Sequence, residues 1–195
     1  MTGMAICRMT VMQRITGRIG KNGMQKGSMH MNDRKMVLDG MMGLVVGDAL
    51  GCPVQFLDRE ELRERGAVTK MEGYGTYNMP PGTWTDDSSM ALATLASINE
   101  QNRIDLRDIM ERFLDWEFHG AYTPFGEAFD EGNTCSNAIY KYRDSHDLAT
   151  CGETGEYSNG NGALMRILPV CLYFIQKEDI SDADALRQIH LATGL

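Results

Sequence analysis

The chain has 195 residues, is 43% hydrophobic and 24% charged, and is long enough to bury a core of its own. Its net charge of −8 and pI near 5.0 argue against an extended cationic face, and so against nucleic-acid binding as its main business. Five cysteines, Cys7, Cys52, Cys135, Cys151 and Cys171, include no CxxC pair and no His at zinc spacing, so neither a disulfide framework nor a zinc site is indicated, and reduced thiols in a cytoplasmic protein are the expected state.

Residues 1–32 differ from the remainder of the chain. They carry five basic side chains and no acid, and eight of the fifteen Met residues lie in Met1–Met36. The expectation is a basic, Met-rich extension without regular structure, followed by one folded domain over residues 33–195. Arg8, Arg14 and Arg18 interrupt any secretory apolar segment. The longest apolar runs elsewhere are broken by Gly or charge, so no membrane span is expected.

From Met36 the pattern is that of a buried helix, with Gly40, Gly43, Gly47 and Gly51 on one stripe. Gly is costly inside a helix, so the stripe predicts close approach of another backbone. Asp48 is the lone acid in Val45-Val46-Gly47-Asp48-Ala49-Leu50; it is either satisfied by neighbouring backbone or aimed at a site. Pro53 ends the helix. A charged helix or turn covers Asp58 to Arg65, and a Gly/Tyr/Pro-rich loop from Gly73 to Gly82 leads to Thr85-Asp86-Asp87. Ser88 to Asn99 reads as a second buried helix. Asp105 and Asp108 form a capping arrangement before Leu106, Ile109, Met110, Phe113 and Leu114, and that helix stops at Gly120. The polar loop Tyr122 to Thr134 opens a helix near Cys135 to Tyr142, with Asp130 and Glu131 placed to cap it or to serve a site. Tyr157 to Gly162 is a Gly/Asn turn before a helix over residues 163–168; such a turn is either a plain loop or an anion nest. Ser181 and Asp184 start the last segment. No stretch alternates with period two, so the fold class is all-α.

The stretch Pro80 to Met90 carries the chemistry. One carboxylate suffices to cap a helix N-terminus. A second beside it, flanked by Thr85 and Ser88 hydroxyls, adds repulsion that a hard cation would relieve; Mg2+ and Mn2+ take carboxylate and hydroxyl oxygens. Capping and cation binding both remain open on spacing alone. Ser88 and Ser89 lack a His relay, and His30, His119, His146 and His190 form no pair at metal spacing.

Four ordered blocks go further: Gly47-Asp48-Ala49-Leu50-Gly51, Pro81-Gly82-Thr83-Trp84-Thr85-Asp86-Asp87-Ser88-Ser89-Met90, Phe129-Asp130-Glu131-Gly132-Asn133-Thr134, and Asn159-Gly160-Asn161-Gly162-Ala163-Leu164-Met165-Arg166. Together they resemble the ADP-ribosylglycohydrolase family, over roughly Met36 to Thr193. The resemblance implies a compact all-α fold and a two-ion Mg2+ or Mn2+ centre that binds the ribose of an ADP-ribosyl group. It makes Thr85, Asp86 and Asp87 metal ligands, Asp130 and Asp87 catalytic candidates, and Asn159, Gly160, Asn161, Gly162 and Gln55 substrate contacts, with Arg166 supporting the Asn159–Gly162 loop. The implied substrate is an ADP-ribosylated protein or another ADP-ribose conjugate, and the implied state is a monomer. Two departures stand out. Gln55 occupies a position where members commonly carry Glu, and Gln cannot shuttle a proton. The family's second ligand block, of Asp-x-Asp-Thr type, is absent from this sequence, which therefore resembles the N-terminal part of the fold. Two functions follow as expectations: a metal-dependent hydrolase of ADP-ribosyl linkages, or a non-catalytic ADP-ribose-binding module or truncated, inactive member of the family.

Overall fold

A computed structural model of the chain describes residues 31–177 and 179–195; the expectation for residues 1–32 falls almost wholly outside them. Among the described residues every regular element is helical, in agreement with the all-α expectation. The chain divides into two compact units at Thr85/Asp86, inside the stretch expected to form one domain.

The described part of the first unit opens with α1 (Met31–Gly51). Met41, Val45 and Ala49 are fully buried, a set spaced by four residues that marks the inward stripe. The glycines lie off that stripe: a Cβ added at Gly43, Gly47 or Gly51 would meet nothing within 4 Å. The expected close backbone approach is therefore not what these glycines serve, because the residues spaced by four from Met41 carry the burial. Each apolar run is short, and 18 residues within Arg34–Val54 reach a mean hydropathy of 1.5 in a helix that passes for a membrane span by length and composition alone, a property that core helices share.

Pro53 converts the end of α1 into the 3-10 turn Cys52–Val54. Asp58 then starts α2 (Arg59–Arg65) with a reciprocal cap: its carboxylate accepts the Glu60 and Glu61 amides at 2.8 Å, and Glu61 accepts the Asp58 amide at 3.0 Å. The loop beyond α2 folds back on the 3-10 turn. Thr76 donates its amide to Pro53 O at 3.2 Å and its hydroxyl to Gln55 O. Only Gly fits at position 75, where a Cβ would sit 1.8 Å from Pro53 O.

In the second unit α3 (Asp86–Gln101) is the central helix, packed against α4 (Leu106–His119), α7 (Gly162–Arg166) and α8 (Leu168–Ile175). The helix α5 (Asn133–Ser145) lies on α4 and on the short α6 (Leu148–Cys151), and α9 (Asp182–Thr193) lies on α7 and α8. Met90, Ala93, Ile109, Met110, Phe113, Trp116, Ile139 and Tyr142 meet in one core. The caps follow the sequence: Asp105 accepts the Asp108 amide at 3.2 Å, Gly120 ends α4 in the left-handed conformation, and Ser181 accepts the Asp184 amide. One expectation needs correcting. Residues 163–168 are not one helix but two, broken at Ile167, because Pro169 has no amide to continue the ladder and instead sits in the first turn of α8.

Candidate active site

In the first unit the site is built around Thr85. The preceding turn is tight: Thr83 donates its amide (3.2 Å) and its hydroxyl (2.7 Å) to Pro80 O, and Thr83, Trp84 and Thr85 are all buried. Thr85 is fixed to the acid that stood out in α1. Its amide donates to both Asp48 oxygens, at 3.1 and 3.0 Å, and its hydroxyl donates to Oδ1 at 2.9 Å. Gln55 caps the 3-10 turn. Beside it Phe56 has φ 65°, an uncommon backbone state for a bulky residue.

In the second unit Asp86 and Asp87 occupy the first turn of α3, where the helix dipole favours negative charge. Asp86 is only 5% exposed. Both acids act on the Cys135 thiol at the start of α5. Burial pushes that thiol up and the two aspartate charges push it further, while Arg166 opposes them. Arg166, at the end of α7 and 4% exposed, donates Nη1 to Cys135 Sγ at 3.5 Å and stacks over Phe113 at 5.3 Å. Burial among these groups depresses its own pKa. Gly162 closes the group: a Cβ there would lie 2.2 Å from Cys135 Sγ. The starts of α3, α5 and α7 thus converge.

A cavity of about 100 Å³ adjoins this group, lined among others by Thr134, Cys135, Ser158, Gly160, Gly162 and Arg166. The loop carrying Asn159, Gly160 and Asn161 is tied down just before them. Glu153 accepts from Ser158 Oγ at 3.1 Å, Asn137 Nδ2 at 3.1 Å and Lys141 Nζ at 3.3 Å, and the Ser158 and Lys141 contacts hold its carboxyl below the usual range. Asn161 precedes α7 without a side-chain cap bond.

Asp130 lies on the approach to α5, four residues before Thr134, with φ 67°. The N-cap of α5 is Gly132, so neither Asp130 nor Glu131 fills the capping position. Nearby, burial pushes the Glu117 carboxyl up, the Glu131 charge adds to it, and a Tyr140 hydrogen bond opposes.

The structure therefore sets Gly162 and Arg166 against Cys135, leaves Asp86 and Asp87 near enough for their charges to act on its thiol, places Gly160 on the wall of the same cavity, and fixes Thr85 to Asp48. Sequence reasoning missed two contributors, Cys135 and Glu153, which gave no signal, since a lone thiol and a loop acid are ordinary; Asp48 stood out as an acid inside an apolar run, and the structure shows the partner it serves.

The donor set at Thr85-Asp86-Asp87 is a hydroxyl and two carboxylates, hard oxygens that fit one Mg2+ or Mn2+ with water completing its shell. Among the described residues no three His, Cys, Asp or Glu side chains converge as a metal cluster, so a ligand set for a second ion is not found there.

Comparison with known proteins bears on this site. The ADP-ribosylglycohydrolase family model matches residues 29–194. The chain is 38% identical over 136 residues to the ADP-ribosyl-[dinitrogen reductase] glycohydrolase of Rhodospirillum rubrum, covering 69% of this chain and 43% of that protein. It is 36% identical over 133 residues to the ADP-ribosylarginine hydrolase Tri1 of Serratia proteamaculans, covering 68% of this chain and 35% of that protein. A solved structure described as an ADP-ribosylglycohydrolase-related protein complex superposes with TM-score 0.60 at 30% identity, over 84% of this chain and 50% of that one. The chain thus spans about a third to a half of the length of these relatives.

Proposed function

Because the chain belongs to the ADP-ribosylglycohydrolase family, we propose that it hydrolyses the glycosidic bond joining ADP-ribose to a protein side chain or other conjugate, with Mg2+ or Mn2+ at Thr85, Asp86 and Asp87. The observation that carries this is the placing of Gly162 and Arg166 against Cys135 beside a cavity, with Asp86 and Asp87 near enough for their charges to act on its thiol. It joins three sequence-distant blocks of a chain similar to an ADP-ribosylarginine hydrolase and an ADP-ribosyl-[dinitrogen reductase] glycohydrolase.

Cleavage at the anomeric carbon builds oxocarbenium character, which nearby carboxylates stabilise electrostatically. Asp130 is the candidate to take the proton of the attacking water, and the Asn159–Gly162 loop would hold the ADP-ribose through backbone and amide groups. A bound ion would orient the ribose hydroxyls and acidify water. The acceptor class taken here is an arginine side chain, after the ADP-ribosylarginine hydrolase among the relatives.

The test is ADP-ribose release from an ADP-ribosylated arginine peptide with Mn2+ or Mg2+. Asp86→Asn and Asp87→Asn should each lower the rate at least about a hundredfold; release that persists in both, or in chelator, refutes the assignment. A second reading, ADP-ribose binding without turnover, is favoured by Gln55 and by the lack of a three-residue acidic cluster among the described residues. Calorimetric binding of ADP-ribose with no release from any conjugate would select it.

A further inference from the structure

Asp48 makes more contact with Thr85 than a structural tie requires. The Thr85 amide shared between its two oxygens, at 3.1 and 3.0 Å, already joins α1 to the loop. The additional bond, Thr85 Oγ1 to Asp48 Oδ1 at 2.9 Å, uses the hydroxyl proton. A Thr hydroxyl has one proton and two lone pairs. With the proton directed at Asp48, the oxygen can act toward any other neighbour only as an acceptor, which is what a hard cation requires. Left to rotate, the same hydroxyl could donate to a neighbouring carboxylate and lower its value as a ligand. The helix run Val45–Leu50 would be apolar without Asp48, and even a half-buried carboxylate loses hydration that its partners must replace. We infer that Asp48 is a positioning residue, which orients the Thr85 hydroxyl as an acceptor toward a divalent cation. The inference rests on the proposed cation at Thr85, Asp86 and Asp87.

The test uses Mn2+ alone as probe, titrated into the 195-residue chain and followed by electron paramagnetic resonance of the free ion, with thermal unfolding recorded in parallel. Asp48→Asn and Thr85→Val are each expected to weaken Mn2+ binding 10- to 100-fold, the usual effect of removing a partner that orients a metal ligand, and Thr85→Ser to retain it. The double variant should lose no more than either single one, because Asp48 acts through the hydroxyl. Asp48→Asn that melts lower yet holds Mn2+ like the parent would make Asp48 a structural clamp and overturn the inference. Additive losses would mean that its charge acts on the ion directly, which also overturns it. If Asp48→Asn does not fold, Thr85→Val decides, since it keeps the amide bonds to Asp48; parental affinity there overturns the inference while leaving the cation reading intact. A parent chain that takes up no Mn2+ overturns both.

Discussion

Arg112 holds three parts of the second unit together, and its removal is the sharpest test of how that unit is stabilised. Its Nε donates to Asp108 at 2.7 Å, Nη2 to Glu100 at 2.8 Å and Nη1 to the Tyr122 hydroxyl at 2.8 Å, joining the end of α3, the first turn of α4 and the loop that leads to Asp130. The Arg112 side chain is 15% exposed. Each charge-assisted bond is worth roughly 1.5–3 kcal/mol when lost. Water re-solvates the more open Glu100, so that partner counts little. Arg112→Met should therefore cost about 2–4 kcal/mol, or about 4–16 °C in Tm at the usual conversion for chains of this size. Burial pushes the Asp108 carboxyl up, but the bonds from Arg112 and Gln101 outweigh it and leave the pKa lowered from 3.8. A lowered carboxyl contributes stability above its unfolded value and loses it as pH falls through the folded one. The gap between parent and Arg112→Met, measured by urea unfolding, should thus be full near neutrality and shrink below about pH 3.8. A loss under about 0.5 kcal/mol, or a gap indifferent to acid, would refute the reasoning, since that is how exposed ion pairs behave.

Further outcomes follow from single contacts. Glu117 has a raised pKa because burial and Glu131 disfavour its charge; a raised carboxyl gives stability below its usual value of 4.5 and loses it as pH rises through the folded one, so Glu117→Gln should raise Tm near pH 7 and match the parent near pH 4. Equal melting at both pH values would refute this. Gly162→Ala drives a Cβ to 2.2 Å from Cys135 Sγ and should cost about 1–3 kcal/mol, most of it recovered in the double variant with Cys135→Ala; a neutral Gly162→Ala would show that the contact relaxes freely. Asp130→Asn suits the left-handed φ of 67° and should leave Tm unchanged while lowering ADP-ribose release, so unchanged release would remove Asp130 from the catalytic set.

What the sequence makes legible is local. Capping by Asp58, Asp105 and Ser181, the stop at Gly120 and the block Thr85-Asp86-Asp87 need only a few neighbouring residues, so one-dimensional reading suffices. The break between α7 and α8 was also legible in principle, since Pro169 announces it, but the good helix formers across residues 163–168 hid it. The glycines of α1 misled because three- and four-residue spacing defines a stripe without saying which stripe is buried; Met41, Val45 and Ala49 took that place. The contacts of Cys135 with Gly162 and Arg166, and of Asp48 with Thr85, join residues 27 to 37 positions apart, and no periodicity encodes them.

Whether Asp86 and Asp87 cap α3 or hold a cation can be decided from stability alone. The dipole at a helix start favours a carboxylate by about 0.3–1 kcal/mol, and up to ~2 kcal/mol when partly buried. Like charges at adjacent positions repel, so a second acid offsets at least part of what the dipole returns. If capping is the whole account, Asp86→Asn and Asp87→Asn lower Tm equally in chelator and in Mn2+, as the loss of any cap would. If the pair holds a cation, the parent gains about 2.7 kcal/mol when Mn2+ reaches a hundred times its Kd. That gain vanishes in both variants, and in chelator the relieved repulsion offsets at least part of the lost cap. Scanning calorimetry of the three proteins with and without Mn2+ separates the two cases: a parent whose Tm does not respond to Mn2+, with variants destabilised in chelator, would return the pair to the role of helix cap.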